Sequence, residues 1–319
     1  MTRLLILLAM PEQVRMQYYN HLRKAFPELK IDMVDHHDKV APHIGAADIL
    51  LTFGPMMADH VVAEATGLQW IQALGSGVDG IVDLPSLRGN VLVTNLHGIQ
   101  GPSVSEAAML SMLALSRGTA RSVRSQDQQK WDRFPARLLK DKTVGIFGIG
   151  VIAAELAPKC KAFGMTVVGI SSAVRSVAGF DRMYARDELE QAVRGLDYLV
   201  LLTPYSAATR GIVSEKVLAA MKPSSYLVNL ARGGVVDEAA LVRALQEGRI
   251  AGAALDVFGE EPLPPAHPFW RMERVLVTPH LGGFCDVYAA QALPVVEHNI
   301  RCFLAGERGR MTNVVRQGA

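Results

Sequence analysis

Cysteine is scarce in this chain. Its three cysteines, Cys160, Cys285 and Cys302, are an odd number with no C-x-x-C pair and no histidine at metal-ligand spacing. That argues against a disulfide framework and against a zinc site, and it fits a reducing compartment. Charge of one sign is equally short. The 33 Lys and Arg against 31 Asp and Glu leave a formal net charge of +2, with no run of like charges able to follow a phosphate backbone, so no nucleic acid partner is expected. Long apolar runs are missing too: no stretch approaches the roughly 20 residues that span a bilayer, and no membrane partner is expected. Leu4 to Met10 follows Arg3 and mimics a signal-peptide core, but the run ends at Pro11-Glu12 and lacks a small-x-small cleavage site. It reads as a buried first strand of a cytoplasmic protein.

What is present is apolar residue in abundance, half of a 319-residue chain. That length exceeds what one hydrophobic core organises, so two domains are expected. Short apolar runs bounded by turn residues alternate with amphipathic stretches, the pattern of β-α-β units around buried parallel sheets. The fold class is therefore α/β, with two doubly wound parallel-sheet domains of Rossmann or flavodoxin type and an active-site cleft between them. The first strand series is Leu4 to Ala9, Ile31 to Val34, Ile49 to Thr52, Trp70 to Ala73 and Val91 to Thr94. The second is Thr143 to Phe147, Thr166 to Gly169, Tyr198 to Leu202, Tyr226 to Asn229, Ala251 to Leu255 and Val275 to Val277.

Ser103 to Arg117 reads as a hinge helix, with Glu106 three residues after Ser103 as a capping box requires. A polar connector, Ser122 to Lys142, leads into the second series. A final helix, Ala289 to Leu304, is too short a remainder to form a domain, so it is expected to return to the first. The expected division is one domain from 1–101 plus 284–319 and a second from 102–283. Ala47-Asp-Ile-Leu-Leu-Thr also echoes Leu196-Asp-Tyr-Leu-Val-Leu-Leu-Thr, as two similar domains would explain.

Gly148-Ile149-Gly150-Val151-Ile152-Ala153 matches G-x-G-x-x-G/A directly after a strand and before a helix. Gly148 permits the tight turn, Gly150 admits the pyrophosphate to the backbone, and Ala153 takes the helix-packing position. The next strand ends in Ser171, where an NAD enzyme carries an acid for the ribose 2′-hydroxyl. With Arg175 nearby and no carboxylate, the loop favours NADP(H); the alternative is an Arg175 left in solvent and NAD(H) bound through Ser171.

Three further motifs lie at the ends of later strands: Leu227-Val-Asn-Leu-Ala-Arg232-Gly-Gly, Leu255-Asp256-Val-Phe-Gly-Glu-Glu261-Pro262, and Val277-Thr-Pro-His280-Leu-Gly-Gly. The carboxyl ends of parallel strands form the ligand crevice of such sheets, so all three can converge. Reducing a keto acid needs a hydride to C2, a proton to the carbonyl oxygen and a cationic anchor for the carboxylate. His280 suits the proton donor and Arg232 the planar carboxylate fork.

These motifs, with the loop Gly75-Ser76-Gly77-Val78-Asp79, resemble the D-isomer-specific 2-hydroxyacid dehydrogenases over essentially the full length, in particular the glyoxylate and hydroxypyruvate reductase branch. The resemblance implies an NAD(P)-dependent oxidoreductase that interconverts small 2-keto acids and D-2-hydroxy acids, working as a homodimer. It implies that Glu261 holds the His280 imidazole, and that the Ser76 and Gly77 amides join Arg232 on the substrate carboxylate. It also implies that Val151, Ile152, Thr203, Pro204, Leu230, Ala231, Asp256, Gly282 and Gly283 line the cofactor, although Asp256 could instead cap its own turn. Val151 departs from the Arg or Ser common in the family after the second glycine. His97, His267 and His298 lie in no motif and read as structural or solvated. Met56, Met57 and Phe284 suggest a small apolar pocket, or core filler.

Formate and phosphoglycerate dehydrogenases share the scaffold. Glu261 stands where formate chemistry would require Gln, and no regulatory domain follows His280. A nucleotide-sensing corepressor or scaffold is the reading from a different class, but a chain that starts at its first strand and ends after its last helix leaves little room for the tails such a protein would use.

Overall fold

The apolar runs become the strands of two largely parallel sheets in the computed structural model, which describes residues 1–318. The chain divides into two units, Met1–Ile99 with the segment from Asp286 onward, and Gln100–Cys285. Both divisions fall two residues away from the expected 101/102 and 283/284. The first displacement has a local cause: Gln100 is the N-cap of helix Gly101–Arg117, and its carbonyl accepts from the Val104 N–H, so it travels with that helix.

The first unit contains β1 (Arg3–Leu7), β2 (Lys30–Val34), β3 (Ile49–Thr52), β4 (Trp70–Ala73) and β5 (Leu92–Thr94). They lie parallel in the order 2-1-3-4-5, the flavodoxin-like arrangement. Leu5, Leu7, Leu50, Ile71 and Val93 fill one core beneath them.

Helix Tyr288–Leu304 belongs to this unit, and buried polar groups tie it there. Asn299 Nδ2 donates to Gln72 Oε1 at 2.9 Å, and the same oxygen accepts from Thr94 Oγ1 at 2.8 Å. The Trp70 indole donates to Thr94 Oγ1 and stacks on Phe303. A buried network of this kind stabilises only when every member is satisfied, which makes the docking register specific.

The second unit contains β6 (Thr143–Phe147), β7 (Thr166–Ser171), β8 (Arg182–Ala185), β9 (Tyr198–Leu201), β10 (Tyr226–Asn229), β11 (Gly252–Leu255) and β12 (Val275–Val277). All are parallel, in the order 12-11-10-9-6-7-8. The order reverses between β6 and β9, where open α/β sheets place their ligands. Helix Gly101–Arg117 packs on helix Val151–Ala162, and a Cβ at Gly101 would lie 3.0 Å from Glu155 Cγ.

Several local readings change. The expected capping box at Ser103 and Glu106 is absent; the helix starts at Gly101 with Pro102 in its first turn, and Ser103 Oγ donates to the Gln100 carbonyl. The polar connector begins inside a helix, Thr119–Asp127. Two edge strands were not foreseen, β8 and the antiparallel β13 (Val314–Arg316), which pairs with β5. Edge strands need only one pairing partner, and these two have no fully buried residue to mark them.

The internal echo has a structural counterpart. Asp48 accepts the Arg3 amide at 2.8 Å and Asp197 accepts the Thr143 amide at 2.9 Å, so each pins the start of the first strand of its own unit. Among the described residues no helix is long and apolar enough to cross a membrane.

Candidate active site

The dinucleotide motif takes the shape its spacing predicts. β6 runs into Gly148 at φ +104, where a Cβ would fall 2.5 Å from the Thr203 nitrogen, so only glycine lets the turn pass the end of β9. Around Gly150 a Cβ would meet nothing within 4 Å. Helix Val151–Ala162 begins there with no side-chain cap, and Ala154 is the first residue whose N–H reaches a helical carbonyl, that of Gly150. The amides of Val151, Ile152 and Ala153 therefore face the open side of the turn unspent, which fits a pyrophosphate. Ala153 is fully buried against the sheet, as the third position of the motif requires.

At the end of β7, Ser171 Oγ donates to the Ala173 carbonyl at 2.6 Å. The loop that follows is exposed, Arg175 included, and carries no carboxylate before Asp181. Thr203 and Ala231 are buried beside the turn, Leu230 is half-buried, and Pro204 is exposed. Leu230 and Asp256 meet at Gly282, whose missing Cβ would lie 2.9 Å from Asp256 Oδ2; a Cβ at Gly283 would lie 3.7 Å from Gln100 Cγ. All the cofactor positions expected from the sequence thus follow the carboxyl ends of β6, β7, β9, β10, β11 and β12.

Arg232, Glu261 and His280 come from three of those ends. Asn229, the last residue of β10, shapes the first loop: its Nδ2 donates to the Arg232 carbonyl at 3.1 Å and its Oδ1 accepts the Ala231 amide at 3.1 Å. Sequence reasoning passed over Asn229, whose signal is its place at a strand end two residues before Ala231. Arg232 Nη1 donates to the Ala231 carbonyl at 2.7 Å.

Glu261 accepts from the Phe258 amide through Oε1 at 2.9 Å and lies 2.7 Å from His280 Nδ1 through Oε2. Burial pushes the Glu261 carboxyl upward, but the His280 hydrogen bond, the Phe258 amide and the charges of His280 and Arg232 outweigh it and hold the carboxyl below its ordinary value of 4.5. An ionised Glu261 makes Nδ1 the protonated nitrogen and leaves Nε2, which has no partner among the described residues, for proton exchange.

His280 sits at φ +52, a left-handed conformation uncommon outside glycine. Asp256 holds it there. Its carboxylate, 4 % exposed, accepts from Thr278 Oγ1 at 2.5 Å, Leu281 N at 2.8 Å and Gly282 N at 2.8 Å, while its carbonyl accepts from His280 N. Of the two sequence readings of Asp256, the capping one has these contacts behind it, with a wider reach than its own turn: it clamps the loop of the imidazole.

In the first unit, the loop after β4 is fastened by Asn95 Nδ2 on the Ser76 carbonyl at 2.6 Å and by Leu96 N on the Gly75 carbonyl at 3.0 Å. The amides of Ser76 and Gly77 find no partner among the described residues, as an anion-binding pair would require.

The family description "D-isomer specific 2-hydroxyacid dehydrogenase, NAD binding domain" matches residues 109–282. The chain is 33% identical over 274 residues to D-3-phosphoglycerate dehydrogenase of Methanocaldococcus jannaschii, a match covering 85% of this chain and 52% of that protein. It therefore spans about half the length of that relative. Against glyoxylate/hydroxypyruvate reductase A of Serratia proteamaculans it is 32% identical over 267 residues, covering 82% of this chain and 84% of the other. A solved D-isomer specific 2-hydroxyacid dehydrogenase family protein from Aeromonas salmonicida superposes with a TM-score of 0.87 at 31% identity, covering 99% of both chains. By its folded sheets, its dinucleotide turn and these matches, the chain belongs to the D-isomer specific 2-hydroxyacid dehydrogenase family.

Proposed function

We propose that this protein is an NAD(P)-dependent reductase of short 2-keto acids of the glyoxylate and hydroxypyruvate kind, producing or oxidising the D-2-hydroxy acid. The observation that carries the reading is the 2.7 Å contact between His280 Nδ1 and Glu261, beside the Arg232 charge that helps keep Glu261 ionised. When bound there, a reduced nicotinamide would supply the hydride for C2 of the substrate. His280 Nε2 gives the proton to the carbonyl oxygen as that oxygen gains charge, and takes it back in the oxidative direction. Glu261 orients the ring through its contact with Nδ1. Arg232 binds the substrate carboxylate through its planar fork and polarises the carbonyl. The Ser76 and Gly77 amides are assigned to the same carboxylate on the family resemblance.

The second unit is assigned to the cofactor, with the pyrophosphate on the Val151, Ile152 and Ala153 amides. NADP(H) is preferred over NAD(H), because nothing acidic stands at Ser171 to repel a 2′-phosphate and Arg175 is exposed nearby. A cytoplasmic homodimer completes the reading, on the resemblance alone. The test is oxidation of NADPH and of NADH with a panel containing glyoxylate, hydroxypyruvate, its 3-phosphate and pyruvate. Turnover of the unphosphorylated acids with NADPH supports the reading. Preference for the 3-phosphate favours the phosphoglycerate dehydrogenase alternative, in line with that relative's identity, and no turnover at all favours a nucleotide-sensing scaffold.

A further inference from the structure

Behind Glu261 lies a second carboxylate that the reaction does not use. Glu238 opens helix Glu238–Gln246, and its capping duties are discharged by Asp237, whose Oδ1 accepts the Ala240 amide at 3.0 Å. Glu238 is thereby left to reach across to the loop after β11. Its Oε2 accepts the Gly259 amide at 3.0 Å, and its Oε1 lies 3.3 Å from His267 Nε2. His267 Nδ1 accepts from the Phe269 amide at 3.4 Å, so the ring proton sits on Nε2, the nitrogen that faces Glu238. The imidazole packs on Phe269, a fully buried side chain that also meets Phe258. The loop is thus pinned at the Phe258–Gly259 peptide: its carbonyl abuts Gly233, and its N–H ends on Glu238. Only Glu260 separates that pinned amide from Glu261.

We infer that Glu238, oriented by His267, is a positioning residue for Glu261: it fixes the backbone from which the carboxylate reaches His280. The inference rests on the proposed role of the Glu261–His280 pair. A misplacement near 1 Å at a catalytic group costs up to about a hundredfold in rate, and a pivot at Gly259 moves Glu261 on that scale. Glu238 touches neither of the paired side chains, so removing it should act on kcat through Glu261 and leave cofactor binding alone.

The experiment is a double-mutant cycle on the full chain with E238A, E238Q and E261Q. E238A should lower kcat about tenfold, with the KM for NADPH changed less than about twofold. E238Q keeps an acceptor for the Gly259 amide and should recover kcat to within about threefold of wild type. In the E261Q background, E238A should add less than about twofold, because its target is already gone. A full tenfold loss on top of E261Q, or a loss carried in the KM for NADPH, overturns the inference. Should the wild-type chain reduce no 2-keto acid, the functional reading falls while the positional one is still decided by a crystal structure of E238A. There the His280–Glu261 contact should open beyond about 3.5 Å; a contact retained at its present length refutes it.

Discussion

Gly233 packs backbone to backbone on Phe258: a Cβ at 233 would fall 1.9 Å from the Phe258 carbonyl carbon and 2.0 Å from its oxygen. The contact joins the loop that bears Arg232 to the loop that bears Glu261. No rotamer can relieve a clash with backbone, so Gly233→Ala must displace one loop or the other. Overpacking of this sort costs about 1–3 kcal/mol. We expect G233A to fold with a lowered Tm and to lose more than about tenfold in kcat/KM. Calorimetry and steady-state kinetics check both, and a stable variant with wild-type kinetics would show that the two loops are not coupled in this way.

Asp256 clamps the loop of His280 through three hydrogen bonds to a buried carboxylate. Asp256→Asn preserves the shape but turns one acceptor into a donor that faces N–H or O–H groups, at a cost on the order of 1–3 kcal/mol. The left-handed backbone of His280 is then less firmly held. Amide exchange at Leu281 and Gly282 should accelerate in D256N, while amides of β6 and β7 keep their protection. Uniform acceleration across the unit would instead mean a global loss of stability.

The lowered pKa of the Glu261 carboxyl bears on acid stability. A carboxyl whose folded pKa lies below its unfolded one stabilises the fold above the unfolded value, and that contribution is lost as pH falls through the folded value. The window therefore opens near the ordinary value of 4.5 and extends downward. The Tm difference between wild type and E261Q should be constant at neutral pH and shrink below about pH 4.5. A difference that grows on acidification would contradict the ionised Glu261 on which the His280 pairing depends.

Ser171 and Arg175 separate the two cofactor readings. Arg175→Ala should weaken NADPH binding by about tenfold or more and leave NADH nearly unchanged, as the loss of a charge-assisted contact to a 2′-phosphate would. Fluorescence titration of both cofactors measures this directly. Equal effects on the two would return Arg175 to the solvent.

Much of the second unit is legible because its chemistry is local. Gly148 announces a turn that only glycine can make, Gly150 an open approach to the backbone, and the largely buried strands β6, β9, β10 and β11 are short, mostly apolar runs that need a core. The first strand of each unit is equally plain. What escapes sequence reading depends on partners far away in the chain. β8 and β13 are edge strands without a fully buried residue, so no apolar run marks them. Helix Thr119–Asp127 buries no residue at all, and a polar stretch is what a connector also looks like. The expected capping box fails because Pro102 can start the helix at Gly101, ahead of Ser103. Glu238 and Asn229 are ordinary at their positions, and only the loops folded over them show what they hold. His267, read as structural or solvated, lies 3.3 Å from the carboxylate behind the candidate site.

The proposed reaction depends most on a proton passing through the imidazole held by Glu261. The direct measurement is the rate of NADPH oxidation by His280→Ala with the best substrate of the 2-keto acid panel, beside a fluorescence titration of NADPH. General acid catalysis contributes about 10²–10⁴-fold, so kcat should fall by that factor while NADPH binds as it does to the wild type. A His280→Ala enzyme that retains wild-type turnover would contradict the account.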